Sequence, residues 1–209
     1  ELNLTRNRIK SLPEDIFLLR NLEILVVEAN KLEHLPGSIH KNYRLTHLDC
    51  TNNRLQNLNA TLSGSTSIQS LKLSMNRLKE LPFEMCAMTQ LVELALDDND
   101  FKDTMQEVID KFTVPEILQF LSRLQSSTLT NFLNLQGQDL QQIPAVIAKC
   151  SNLTRFNFSR NQCRQVGTWL GVLVGLQDLN LRTNKLKAIP NELGTLVNLQ
   201  SLDLGENRL

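Results

Sequence analysis

The side chains that could do covalent or metal chemistry in this chain are few and dispersed. Four cysteines stand at positions 50, 86, 150 and 163, and three histidines at 34, 40 and 47. Neither set has the close pairing that a zinc site or a disulfide scaffold requires. The one tight juxtaposition is "HLDC", residues 47–50. In an extended segment side chains alternate, so His47 and Asp49 project to one face and Cys50 to the other. A thiol nucleophile and its base cannot meet there. No G-x-x-x-x-G-K phosphate loop occurs. The apolar run "VGTWLGVLVGL" (166–176) is too short for a membrane span, which needs about 18 residues. The expectation is therefore no catalytic residues, no metal and no cofactor.

The chain as a whole keeps a fixed period. "LEILVVEANKL" (22–32), "LTHLDCTNNRL" (45–55), "IQSLKLSMNRL" (68–78) and "LVELALDDNDF" (91–101) start 23 residues apart. "TNFLNLQGQDL" (130–140), "LTRFNFSRNQC" (153–163), "LQDLNLRTNKL" (176–186) and "LQSLDLGENRL" (199–209) do the same. A truncated copy, "ELNLTRNRI" (1–9), fits the register and makes nine. The shared pattern is L-x-x-L-x-L-x-x-N-x-L. Alternation along a short strand sends positions four and six inward and positions three, five and seven outward. Asparagine holds position nine in eight copies: Asn7, Asn30, Asn53, Asn76, Asn99, Asn161, Asn184 and Asn207. An amide both donates and accepts, so a buried ladder of asparagines can satisfy the backbone of successive turns. Gln138 replaces it in copy six. The second half of most copies reads L-P-x-x-I/L, where proline suits the first turn of a short helix.

This pattern resembles the leucine-rich repeat. The resemblance implies an α/β solenoid, a curved horseshoe with parallel strands on its concave face and short helices on its convex face. The L-P-rich, 23-residue form is similar to repeats of intracellular scaffold and signalling proteins: the Ras-group proteins, the Scribble and Erbin scaffolds, and Roco-type GTPases. It lacks the G-x-I-P signature of plant receptor ectodomains.

The starts of copies five and six lie 39 residues apart where 23 are expected. "NDFKDTMQEVIDKF" (99–112) opens the excess. Asp103 with Gln106, and Thr113 with Glu116, are placed to cap two helices. Met105, Val108, Ile109 and Phe112 form one apolar stripe, and Ile117, Leu118, Leu121 and Leu124 a second. The run Ile117–Leu121, "ILQFL", resembles the segment that closes a repeat block in that intracellular group, although Phe112 stands where that segment has glycine. The expected organisation is one block over 1–101, a helical seam over 102–129 and a second block over 130–209, within a longer chain. A docking element is the other reading of the seam.

What remains is the outward strand face. Most of its residues are polar. The apolar exceptions are Ile24, Val26, Met75 and Phe132, and exposed apolar side chains ringed by polar ones mark contact patches. Charge is sorted too: Glu93, Asp97, Asp98, Asp100 and Asp103 gather near copy five, against Arg155, Arg160 and Arg182 beyond the seam. These ten, Ile24 through Arg182 without Asp100 and Asp103, are the candidate partner-binding residues. Twenty-two basic residues balance twenty-two acidic ones, so nothing global points to nucleic acid or a membrane surface. A basic row follows the ladder asparagines (Arg8, Lys31, Arg54, Arg77, Lys185, Arg208), as is usual in this repeat type. Four N-x-S/T sequons, at Asn3, Asn59, Asn152 and Asn157, keep an extracellular setting open. The reading is a cytoplasmic, non-catalytic protein-interaction module, able to form part of a large assembly. A regulatory repeat region of a GTPase, kinase or phosphatase is the alternative, and a receptor ectodomain a further one.

Overall fold

A computed structural model describes residues 1–209 apart from the side chain of Asp103. The expected cap at Asp103, and that residue's place in the acidic cluster, lie outside the described residues. The chain packs as two compact units, residues 1–102 with 112–122, and residues 103–111 with 123–209.

Unit 1 carries a five-stranded parallel sheet in sequence order, β1 (Leu2–Asn3), β2 (Ile24–Val26), β3 (His47–Asp49), β4 (Ser70–Lys72) and β5 (Glu93–Ala95). Unit 2 carries a four-stranded one, β6 (Phe132–Asn134), β7 (Arg155–Asn157), β8 (Asp178–Asn180) and β9 (Ser201–Asp203). Register follows the 23-residue period without slippage: Leu25 pairs with Leu48, Leu48 with Leu71, and Leu71 with Leu94. Leu133, Phe156, Leu179 and Leu202 do the same in unit 2. Position four must stay inward, and a one-residue slip would expose every such leucine. Leu25, Val27, Leu48, Leu71, Leu73, Leu133 and Leu135 are all fully buried, each contributing about 1.5–3 kcal/mol of apolar burial.

The return segments hold five-residue 3-10 turns at 14–18, 37–41, 60–64, 83–87, 145–149, 168–172 and 191–195. Only five residues separate the residue before each turn from its close, so i→i+3 bonding is what fits. In five of them a proline stands at the entry with extended ψ, as at Pro13 and Pro190.

The ladder is built of repeated bonds. Asn53 Oδ1 accepts from the Leu32 N–H of the preceding copy at 2.9 Å, while Nδ2 donates to Val27 O and Cys50 O at 3.0 Å each. Asn30, Asn76, Asn99, Asn161, Asn184 and Asn207 repeat this pattern. Asn7 donates to Leu4 O within its own copy. Among the described residues the side chain of Gln138 donates only to Gln136 O, at 3.3 Å.

The excess residues form α1 (Asp103–Lys111) and α2 (Val114–Thr130). Thr113 precedes α2, and its N–H and hydroxyl both donate to Glu116 Oε2, at 2.8 and 2.7 Å. Proton donation by the hydroxyl is the reverse of the usual cap. Val108, Ile117, Leu118, Phe120, Leu121 and Leu124 are buried, and Phe112 packs edge-on against Phe120 with centroids 6.4 Å apart. α2 runs one residue beyond the expected seam, so Thr130, the first position of copy six, is helical. It ends on Asn131 at φ 55°, whose N–H donates to Ser127 O at 2.9 Å, the left-handed close that asparagine tolerates.

Candidate functional site

Ile24 and Val26 lie on β2, both half-buried, and Met75 lies beyond β4, half exposed. The acidic candidates carry local partners. Glu93 accepts the Ser70 hydroxyl at 2.5 Å and pairs with Lys72 at 3.3 Å. The Ser70 bond first, then Lys72, holds the Glu93 carboxyl below its ordinary range. Ser70 is outward by register but buried, because Glu93 covers it. Asp97 accepts weakly from Ser74 at 3.4 Å, and Asp98 is exposed.

In unit 2 Phe132 and Arg155 meet across neighbouring strands, the guanidinium 5.0 Å from the ring centroid. Such a cation–π pair at an exposed site is worth about 0.5–1 kcal/mol. Arg160 and Arg182 line a pocket of about 620 Å³ together with Gln136, Asn157, Asn180 and Glu206. Arg182 bonds Glu206 at 2.6 Å and lies 3.9 Å from Asp203. Glu206 also takes the Thr183 hydroxyl at 2.7 Å. The Thr183 bond first, then Arg182, lowers its carboxyl pKa, and Glu206 raises that of Arg182. Sorted charges are thus partly neutralised where they stand.

Asn157, Asn180, Gln136 and Glu206 are not among the partner-binding candidates read from the sequence. The available signal was the pairing of position five with the backbone two residues on. Asn134, Asn157 and Asn180 each accept from the position-seven N–H, at 3.0–3.1 Å. The same turn explains three sequons. Asn3, Asn59 and Asn157 accept from the N–H of Thr5, Thr61 and Ser159, two residues on. An Asx turn followed by Ser or Thr is a sequon by composition.

The cysteines are placed for packing. Cys50, Cys150 and Cys163 are buried, and Cys86 is half-buried. Burial pushes all four thiols up, Cys163 to about 11, so none is poised as a thiolate. No group of His, Cys, Asp and Glu among the described residues is arranged to hold a metal ion. No described helix is long and apolar enough to cross a membrane.

The leucine rich repeat family profile matches residues 1–55, and the same register, strand pairing and asparagine bonding continue to residue 209. In each unit the fold is that of a leucine-rich-repeat solenoid. No curated protein matches the chain. Among solved structures it is similar to an LRR protein of Leptospira interrogans, at 27% identity over 97% of this chain and 48% of that one, with a TM-score of 0.48. It is similar to the functional domain of InlJ from Listeria monocytogenes, at 20% identity over 99% and 39%, TM-score 0.45. It is also similar to the LRR ectodomain of the plant membrane receptor kinase GASSHO1/SCHENGEN3 from Arabidopsis thaliana, at 29% identity over 94% and 23%, TM-score 0.43. The chain spans less than half the length of each of these.

Proposed function

We propose that the chain is a non-catalytic protein-interaction module that binds its partner on the strand faces of the repeats. One observation carries this reading. The inward positions repeat the same chemistry copy after copy, whereas positions three and eight change at every copy and hold exposed groups such as Phe132, Met75 and Arg160. Packing sets the first group, and nothing in packing sets the second. The cytoplasmic scaffold or signalling setting is part of the same proposal. It is supported by the resemblance of the L-P-x-x-I/L repeats and by cysteines used as core side chains.

We read α1 and α2 as a structural seam. Their apolar stripes are occupied by packing, and α1 is tied to copy six: Glu107 accepts the Gln141 N–H at 3.0 Å and Lys111 donates to Asp139 O at 2.9 Å. Affinity capture from native lysate tests both points, with the chain compared with Ile24→Glu/Phe132→Asp and with Leu129→Glu. Leu129 is 84% exposed on α2, so each variant should fold. Loss of the partner in the face variant alone supports the proposal. Loss in Leu129→Glu alone moves the binding site to the interruption.

A further inference from the structure

The unit 2 pocket has an unequal stock of donors and acceptors. Asn157 and Asn180 each spend Oδ1 on a backbone N–H, at 3.0 Å. Only the oxygen can accept, so the backbone fixes each amide with its NH2 group turned outward. Asn157 gives one hydrogen to Gln136 Oε1 at 3.3 Å, which occupies that acceptor as well. Asn180 Nδ2 has no partner among the described residues. The Glu206 oxygens are both taken, Oε1 by Arg182 and Oε2 by Thr183. Arg160, exposed and at φ 56°, makes no ion pair among the described residues. Each of these acceptor oxygens already takes a hydrogen bond, whereas Asn180 Nδ2 and the Arg160 guanidinium make none among the described residues.

We propose that this pocket binds an extended peptide segment through its backbone carbonyls and one Asp or Glu side chain. The assignment rests on the strand-face reading above and narrows it to a partner chemistry. Adjacent copies present their position-five amides one strand spacing apart, about 4.8 Å, so a chain lying across the strands meets a donor at each. The Arg160 guanidinium acts on Glu206 through its charge alone and so keeps its N–H groups for one carboxylate, which a planar fork suits. Nucleic acid fits less well: no lining residue is aromatic, and a single free cation cannot track a phosphate backbone.

The test titrates the ¹⁵N-labelled 209-residue chain with acetyl-(Thr-Glu)4-amide, whose blocked C-terminus leaves side chains as the only carboxylates. Its Gln and Lys counterparts and an oligo-dT are run in parallel. The expected result is movement of the Asn157 and Asn180 NH2 resonances with the Glu peptide, about fivefold weaker or more with the Gln peptide. Asn180→Asp keeps the turn, since Asp49 and Asp203 make it elsewhere at 2.9 Å, but replaces the donor with an acceptor. Both Asn180→Asp and Arg160→Gln should weaken binding about fivefold or more. The assignment is overturned if these resonances stay still, if oligo-dT binds as well, or if both variants bind like the parent. The two readings fail separately. Capture lost in Phe132→Asp without any peptide response sinks the acidic-peptide assignment and leaves the strand-face function standing.

Discussion

Replacing Asn161 by alanine removes the most heavily used side chain of the unit 2 ladder. Its Oδ1 accepts from Gln138 N–H at 3.0 Å and from Leu140 N–H at 3.1 Å. Its Nδ2 donates to Leu135 O at 2.8 Å and Phe158 O at 3.0 Å. Phe158 O keeps a second donor, Asn184 Nδ2 at 3.0 Å, so that loss is small. The Leu140 N–H is left buried and the Gln138 N–H partly so. At about 1–3 kcal/mol for each buried donor left without a partner, one full and one partial loss come to about 2–4 kcal/mol. Gln138→Ala is the internal control. It stands at the same repeat position 23 residues earlier, yet its side chain makes one long bond. It should cost no more than about 0.5 kcal/mol, the range for unremarkable surface changes. The single tryptophan, Trp169, lies in unit 2, so its fluorescence during urea unfolding reads both variants in one place. With a slope of about 2 kcal/mol per molar, Asn161→Ala should lower the midpoint by about 1–2 M. Equal midpoints for the two variants would refute the buried ladder as a stabilising device.

Four further outcomes are expected. Phe132→Asp should change the unfolding midpoint by less than about 1 kcal/mol, since Phe132 is 37% exposed, while weakening partner capture; severe unfolding would place Phe132 in the core. Gly137→Ala should destabilise by about 0.5–1 kcal/mol, the left-handed penalty less the unfolded-chain entropy regained, because φ is +65° and the added Cβ meets nothing within 4 Å; an unchanged midpoint in the Trp169 assay would count against it. The lowered carboxyl of Glu206 should stabilise unit 2 above its unfolded pKa, near 4.5. That contribution disappears as pH falls through the lower folded value, so Glu206→Gln should flatten the acid side of a midpoint-versus-pH curve. Iodoacetamide should modify half-buried Cys86 before Cys50, Cys150 or Cys163, checked by peptide mass mapping of briefly treated native protein.

The strands were legible because one constraint acts on them at every copy. Leu25, Leu48 and Leu71 pair in the register that the 23-residue spacing dictates, and Phe132 faces outward beside buried Leu133 as alternation requires. The form of the return segments was less legible. Pro13 and Pro36 announce a turn, but the choice of 3-10 geometry depends on how few residues remain before the chain must re-enter the core. The pocket was legible only in part. Arg160 and Arg182 stand out as charges in a polar column, whereas Asn157 and Asn180 look like ordinary solvated amides. Their donor groups acquire a direction only once Ser159 N–H and Arg182 N–H are seen to hold the oxygens. Pairing of Arg182 with Glu206 joins residues 24 apart in neighbouring copies, a contact that no single-copy pattern contains.

Position eight explains why the binding chemistry lodges where it does. Arg6, Ala29, Asn52, Met75 and Asp98 in unit 1, and Gly137, Arg160, Thr183 and Glu206 in unit 2, all have φ between 54° and 65°. Glycine would be the cheap occupant, and only copy six has it. A left-handed residue with a side chain costs about 1–3 kcal/mol, and it persists here because the backbone is held from outside. The N–H groups of Arg6, Ala29, Asn52 and Met75 in unit 1, and of Gly137, Arg160 and Thr183 in unit 2, donate to the position-seven carbonyl of the next copy, as Met75 does to Asp97 O at 2.8 Å and Arg160 to Arg182 O at 2.9 Å. The repeat therefore demands a conformation at this position and leaves the side chain unspecified. Arginine, methionine, threonine and glutamate all occupy the turn. The column beside the strands is thus open to variation without loss of the core. Arg160, Thr183 and Glu206, three of the residues that line the unit 2 pocket, come from that column.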